Sequence, residues 1–164
     1  MIREPLKILG INPGTRYLGL AVLYGQELMD WRVKTFRGKW TKEKAERIIE
    51  IISEQIELYD INTIAMKRLH PARTSKNLKL LVSKITALAR RKRMKVKSHS
   101  INELERFILA EEKPNKRNLA EKIIKEYPML VHELNKEKSR KNSYYMRAIE
   151  AVALGLKIQN AIDS

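Results

Sequence analysis

Ile8-Leu9-Gly10-Ile11-Asn12-Pro13-Gly14-Thr15-Arg16-Tyr17-Leu18-Gly19-Leu20-Ala21-Val22 is the stretch that decides how this chain folds. An apolar run reaches one short polar side chain, Asn12, turns through Pro13-Gly14-Thr15, and leaves along a second apolar run. Short apolar runs bounded by Pro and Gly predict two buried strands joined by a tight turn. Such a hairpin delivers one polar group to its tip, and here the group is an amide. Metal-dependent phosphoryl chemistry would want a carboxylate there, because hard cations prefer charged oxygen ligands.

Working outward, Gly25-Gln26 predicts a second turn, after which Met29, Trp31, Val33 and Thr35 alternate with Asp30, Arg32 and Lys34 as in a half-exposed strand. Thr41 can cap a helix whose apolar stripe is Ala45, Ile48, Ile49, Ile52 and Ile56. Asp60-Ile61-Asn62 returns the chain into a short strand over 63–66. Ser75 or Thr74 starts a second helix with Leu78, Leu81, Val82, Ile85 and Leu88 inside, and Lys95 to Ser98 reads as a fifth strand. Helical pattern resumes from Asn102, breaks at Pro114 and continues to Tyr127-Pro128. A basic polar stretch, Asn135 to Asn142, precedes a last helix over about 143–162. The predicted order is βββαβαβ followed by helices.

At 164 residues the chain suits one domain, 1–164, with room for a sizeable core. Thirty-four Lys and Arg against nineteen Asp and Glu leave a net charge of +15, which favours a polyanionic partner, most often nucleic acid. With no cysteine, disulfides and Cys-based zinc sites are excluded. His70, His99 and His132 lie too far apart in sequence to form a metal-ligand pattern. No segment approaches the roughly 18 apolar residues of a membrane span, and the first residues open no signal peptide, so a cytoplasmic location is expected.

The opening stretch resembles the start of the RuvC family of Holliday junction resolvases, a branch of the RNase H-like superfamily. That family begins with a strand reading roughly L-G-I-D-P-G-[ST] and a second strand of the form [GT]-x-[GA]-V. The order of the later elements matches over nearly the whole chain, least well between about 100 and 140. The resemblance implies an RNase H-like α/β fold: a five-stranded mixed sheet of three antiparallel and two parallel strands, flanked by helices.

In RuvC-like nucleases four carboxylates, from the first and fourth strands and the last helix, hold two Mg²⁺ ions that activate water and stabilise the leaving oxygen. Carried over residue by residue, the first position is Asn12. The second ends the fourth strand in a pattern like A-[IV]-E, where this chain has Ala65-Met66-Lys67. The last two follow D-x-x-D-A-[LVI]-A, where it has Arg147-Ala148-Ile149-Glu150-Ala151-Val152-Ala153. Spacing i, i+3 sets Arg147 and Glu150 on one helix face, where they could pair. Four acids would carry about −4, whereas these four side chains carry +1. Two-metal hydrolysis is therefore not expected, and no cofactor is implied unless the site is active with Mg²⁺. Asp30, Glu57 and Asp60 read as solvent-facing acids rather than replacements.

The resemblance also places Arg68, His70, Arg73 and Lys76 on a loop and helix start beside the cleft, and Arg16 in the first turn. His70 falls where the family often has an aromatic wedge against unpaired bases. Free N–H groups at a helix start, with Arg73 and Lys76, suit phosphate. Arg91 and Arg93 belong to the densest basic cluster, which reads equally as a solvated helix end. Lys113, Lys116 and Arg117 resemble the basic loop and helix start that contact phosphate in resolvases, and Lys138, Arg140 and Lys141 extend that rim. Trp31, Trp40, Tyr144 and Tyr145 read as core or interface aromatics.

Three functions remain open on these residues. The first is a RuvC-like protein that binds branched or structured DNA, with the homodimer that the resemblance to resolvases implies, and has lost catalysis. The second is an active crossover-junction endodeoxyribonuclease with an atypical site. The third is an RNA-associated or scaffold factor of the same superfamily.

Overall fold

The computed structural model describes residues 6–131 and 142–163. Strands β1 (Lys7–Asn12), β2 (Tyr17–Tyr24) and β3 (Glu27–Thr35) form an antiparallel meander. Helix α1 (Lys42–Leu58) leads to β4 (Thr63–Lys67), and a single 3-10 turn precedes α2 (Lys76–Arg91) and β5 (Lys95–His99). Helices α3 (Ile101–Leu109), α4 (Lys116–Glu126) and α5 (Asn142–Asp163) follow. The sheet order is β3-β2-β1-β4-β5, with β1–β4 and β4–β5 parallel. This is the mixed five-stranded sheet that the resemblance implies, built on the element order read from the sequence.

Helix starts follow local chemistry. Thr41, Ser75, Ser100 and Asn115 each accept a hydrogen bond from the backbone N–H three residues on, satisfying a donor the helix cannot. Helices α1 and α2 both end on a non-glycine residue in the left-handed region, Asp60 at φ 52° and Arg93 at φ 56°. In each case the next N–H reaches back to the helix, Ile61 to the Ile56 carbonyl and Met94 to the Ala89 carbonyl, at 2.9 Å. Helix α3 stops at Leu109, five residues before Pro114, where Ala110 takes φ 41°.

Period-2 alternation divides the sheet between two cores. Leu9, Ile11, Leu20, Val22, Ile64 and Met66 face α1 and α2, where Ile48, Ile52, Leu81 and Ile85 are fully buried. Ile8, Ala21, Leu23 and Ala65 face α3, α4 and α5. Two expectations need correction. On β3 the pairing shifts between Val22 and Leu23, so Met29 is an extra residue opposite no partner. The bulge moves the apolar phase to Leu28 and Trp31, and Met29 points to solvent. On α1, Ile51 and Gln55 are buried where Ile49 was expected, because α1 lies with its stripe rotated toward the sheet.

Trp31 and Trp40 pack half-buried against the two cores, as the sequence suggests. Asp60 and Glu57 are exposed and pair with Lys7 and Lys92, while Asp30 is half-buried and pairs with Arg32. His132, Lys138, Arg140 and Lys141 lie outside the described residues, as do the side chains of Tyr144 and Tyr145.

Candidate nucleic-acid site

Parallel pairing of β1 with β4 sets Ile11 beside Met66. The next residues, Asn12 and Lys67, therefore stand side by side at the strand ends, on the face that carries α5. Lys67 in turn pairs in register with His99 of β5. Helix α5 lies on this face at unusually short range because Gly10 and Gly19 offer no side chain. A Cβ on Gly10 would fall 2.0 Å from the Ala151 carbonyl oxygen, and one on Gly19 would fall 2.2 Å from that of Arg147. That close approach lowers the turn carrying Arg147 and Glu150 onto Asn12.

The four carried-over positions converge. Arg147 Nη1 donates to Asn12 Oδ1 and to the Pro13 carbonyl, each at 3.3 Å. Asn12 Nδ2 donates to Glu150 Oε2 at 2.5 Å, and Lys67 Nζ donates to the same oxygen at 3.0 Å. Asn12 is fully buried, and the Glu150 side chain is 4% exposed against 20% for Lys67. The anticipated Arg147–Glu150 pair does not form. Docking of α5 turns the guanidinium toward the β1–β2 turn and leaves the carboxylate to Lys67 and the amide.

This arrangement explains the amide. Asn12 accepts through Oδ1 and donates through Nδ2, so it links a cation to an anion in one chain of hydrogen bonds. An aspartate would meet Arg147 equally well but would set a second acceptor oxygen against Glu150. The amide, the ammonium and the guanidinium form one consistent network around the single carboxylate. Two Mg²⁺ ions do not fit this donor set. Its one carboxylate already neutralises an ammonium, and two of the four side chains are cations. Among the described residues no group of three or more His, Cys, Asp or Glu could hold a metal.

One acid near the site was not legible in the sequence. Glu105 on α3 is 7% exposed, and burial pushes its carboxyl above the ordinary value. Lys116 at the start of α4 opposes the shift, while the charge of Glu150 adds to it. The folded protein therefore holds this proton more tightly than the unfolded chain does. Carboxylate burial costs stability above the ordinary value of 4.5 and costs none well below it. Glu105→Gln is expected to melt higher than the parent at pH 8, with the gap closing toward pH 4 in thermal melts. A variant that melts lower at pH 8 would show that the carboxylate is needed. His99 carries the opposite shift, held low first by burial and then by Lys157, Arg68 and Lys97. Its neutral ring can donate from Nδ1 to Glu103 Oε2 at 3.0 Å, and Arg68 pairs with the other Glu103 oxygen.

The remaining candidates separate into groups. Arg16, Arg68, His70, Arg73 and Lys76 are exposed at the strand-end side of the sheet that carries Asn12 and Lys67. The His70 ring accepts from the Ala72 N–H through Nδ1, so it helps to form the 3-10 turn. Lys113, Lys116 and Arg117 are exposed around the start of α4, where Arg117 pairs with Glu121. Arg91 and Arg93 sit apart from both. Helix α2 runs back along the sheet for about 24 Å, which puts its C-terminal end at the far side from Asn12.

Solved structures share this architecture. Thermus thermophilus RuvC matches with a TM-score of 0.73 at 16% identity, covering 96% of this chain and 96% of that one. The fold is that of RuvC. A RuvC structure from the same organism, in complex with a Holliday junction substrate, matches with a TM-score of 0.71 at 17% identity over 97% and 96% of the two chains. The yeast mitochondrial Holliday junction resolvase Ydc2 matches with a TM-score of 0.66 at 13% identity, over 98% of this chain and 81% of that one. No family model matches the sequence, and no curated protein matches it. Within the RuvC fold, Asn12, Lys67, Arg147 and Glu150 occupy one cluster at the ends of β1 and β4 under α5. No described helix is long and apolar enough to cross a membrane.

Proposed function

We propose that the protein binds branched nucleic acid, a DNA four-way junction in preference to RNA, and does not cleave it by two-metal hydrolysis. The observation that carries this reading is Lys67 Nζ at 3.0 Å from Glu150 Oε2. Repulsion between unit charges about 4 Å apart is worth about 4 kcal/mol at an effective dielectric near 20. A divalent ion at that distance would meet about twice that opposition from Lys67, and Arg147 would add to it. The network of Arg147, Asn12, Glu150 and Lys67 supplies internally the neutralisation a metal would otherwise bring.

Binding rests on three supports. The fold is shared with Thermus thermophilus RuvC in complex with a Holliday junction substrate. A fowlpox virus resolvase in complex with Holliday junction DNA also matches, with a TM-score of 0.60 at 11% identity over 94% of this chain and 99% of that one. The third is the net charge of +15, together with the exposed Arg16, Arg68, Arg73 and Lys76 at the site end.

Fluorescence anisotropy with a synthetic four-way junction, a duplex of equal length and an RNA hairpin tests the reading. All three must be titrated across a salt series, because a basic domain binds any polyanion through counterion release. We expect the junction to bind at least about tenfold tighter than duplex at 150 mM salt, with no cleavage in Mg²⁺ or Mn²⁺. Metal-dependent nicking that Glu150→Ala abolishes would overturn the non-cleaving part. An RNA hairpin that outcompetes the junction would move the function to the RNA-associated reading.

A further inference from the structure

Neighbouring parallel strands bring an amine and an amide together. Asn12 ends β1 and Lys67 ends β4, and both side chains meet Glu150 on the face under α5. Adjacent strands lie about 4.8 Å apart, a gap that a lysine side chain spans. Lys67 Nζ and Asn12 Nδ2 share a single acceptor atom, Glu150 Oε2, at 3.0 and 2.5 Å. From the other side Arg147 Nη1 donates to Asn12 Oδ1 at 3.3 Å. These contacts orient the amide, its oxygen toward the guanidinium and its nitrogen toward the carboxylate.

Each neighbour meets one requirement for exchanging the amide nitrogen. An amine must be held beside the carbonyl carbon, and two adjoining strand ends supply that proximity. One group must take a proton from the amine and give one to the leaving nitrogen, and Glu150 Oε2 touches both nitrogens. Positive charge must face the oxygen on which negative charge develops, and Arg147 stands there. Water, the competing nucleophile, is kept out, since Asn12 is fully buried and the Glu150 side chain is 4% exposed.

We propose that the cluster is an autocatalytic cross-linking site, which forms an isopeptide bond between Lys67 Nζ and Asn12 Cγ and releases ammonia. Glu150 takes a proton from the Lys67 ammonium. The freed lone pair forms the Nζ–Cγ bond as the carbonyl π pair moves onto Oδ1, where Arg147 holds the oxyanion. Glu150 then passes its proton to Nδ2, the carbonyl re-forms and the Cγ–Nδ2 bond breaks. The second surplus proton of Nζ follows the leaving nitrogen. Ammonium departs, Glu150 is again a carboxylate, and Lys67 has become a neutral amide. The ion pair described above is the state from which this reaction starts. The new bond fastens β1 to β4 and closes the chain between residues 12 and 67, which restricts the unfolded chain as a disulfide would. It does not depend on nucleic-acid binding.

Intact-mass spectrometry tests this on the folded parent protein, followed over days below its melting temperature. We expect the mass of most molecules to fall by about 17 Da, one ammonia. Tryptic digestion should then release residues 8–16 joined to residues 48–68, because an acylated Lys67 no longer directs cleavage. Glu150→Gln keeps a hydrogen-bonding group but cannot shuttle the proton, and should slow the loss at least about 100-fold. Lys67→Arg keeps the cation without the nucleophile and should abolish it. Circular dichroism checks that both variants are folded. Parent held in urea should not react, since unfolding separates the three groups. A folded parent that keeps its full mass overturns the proposal whatever the variants do. Ammonia loss that persists in Lys67→Arg or in urea overturns it too, as does conversion of Asn12 to aspartate with no joined peptide.

Discussion

Gly10→Ala is expected to cost more than about 4 kcal/mol, a loss reserved for severe core disruption. In a protein of this size that lowers the melting temperature by about 10 °C or more. The added Cβ would sit 2.0 Å from the Ala151 carbonyl oxygen and 3.0 Å from its carbonyl carbon. All the nearest atoms are backbone, so no side-chain rotation can relieve the clash. Helix α5 would have to lift from β1, separating Ile149, Val152 and Leu156 from the core they fill. Gly155→Ala is the informative control. Its Cβ would meet Leu23 Cδ1 at 2.5 Å, the far end of a flexible side chain, and alanine gains about 1 kcal/mol of helix propensity over glycine. The two alanines should therefore differ sharply in thermal melts. A Gly10→Ala protein melting within about 2 °C of the parent would mean that α5 does not rest on the strand backbone.

The second large effect concerns the buried charges. Glu150→Ala strands Lys67 Nζ and Asn12 Nδ2 without their shared acceptor. Removing one partner of a buried ion pair costs about 3–5 kcal/mol. Lys67 keeps a fifth of its side chain in contact with water, so the expected loss lies near the lower end, about 3 kcal/mol. Lys67→Met should cost a similar amount, because Glu150 then keeps only the amide. Lys67→Met combined with Glu150→Ala should recover about 2 kcal/mol relative to the sum of the single changes, since neither charge is left alone. Urea unfolding of the four proteins closes the cycle. Simple additivity would show that the two charges do not interact, and the account of the site would fail with it.

Much of the fold is legible in the chain because its signals are local. The apolar runs of β1 and β2 alternate cleanly between two cores, and Thr41 and Ser75 cap the helices they precede. The phase of β3 was not legible. Nothing in Met29-Asp30-Trp31 marks a bulge, which arises only where β3 meets the twist of β2. Glu105 was missed for a related reason. It stands in an amphipathic helix beside Leu104, and only packing against its neighbouring elements decides that it is buried rather than solvated. Arg91 and Arg93 look continuous with the site cations in sequence, but α2 carries them to the far end of the sheet.

For the site, the resemblance read in the sequence singles out four side chains, Asn12, Lys67, Arg147 and Glu150, and their summed charge is positive. The sequence alone determines Asn12 at a strand tip because seven flanking apolar and turn residues act within a few positions of it. It does not determine which donor meets which acceptor. Lys67 and Glu150 are 83 residues apart, and their contact exists because α5 settles on the bare backbone of Gly10 and Gly19. Arg147, expected beside Glu150 from helical spacing, is drawn instead to Asn12 and Pro13 by the same docking. Helix periodicity fixes which residues share a face, whereas hydrogen bonds depend on ångström distances that only the packed elements set.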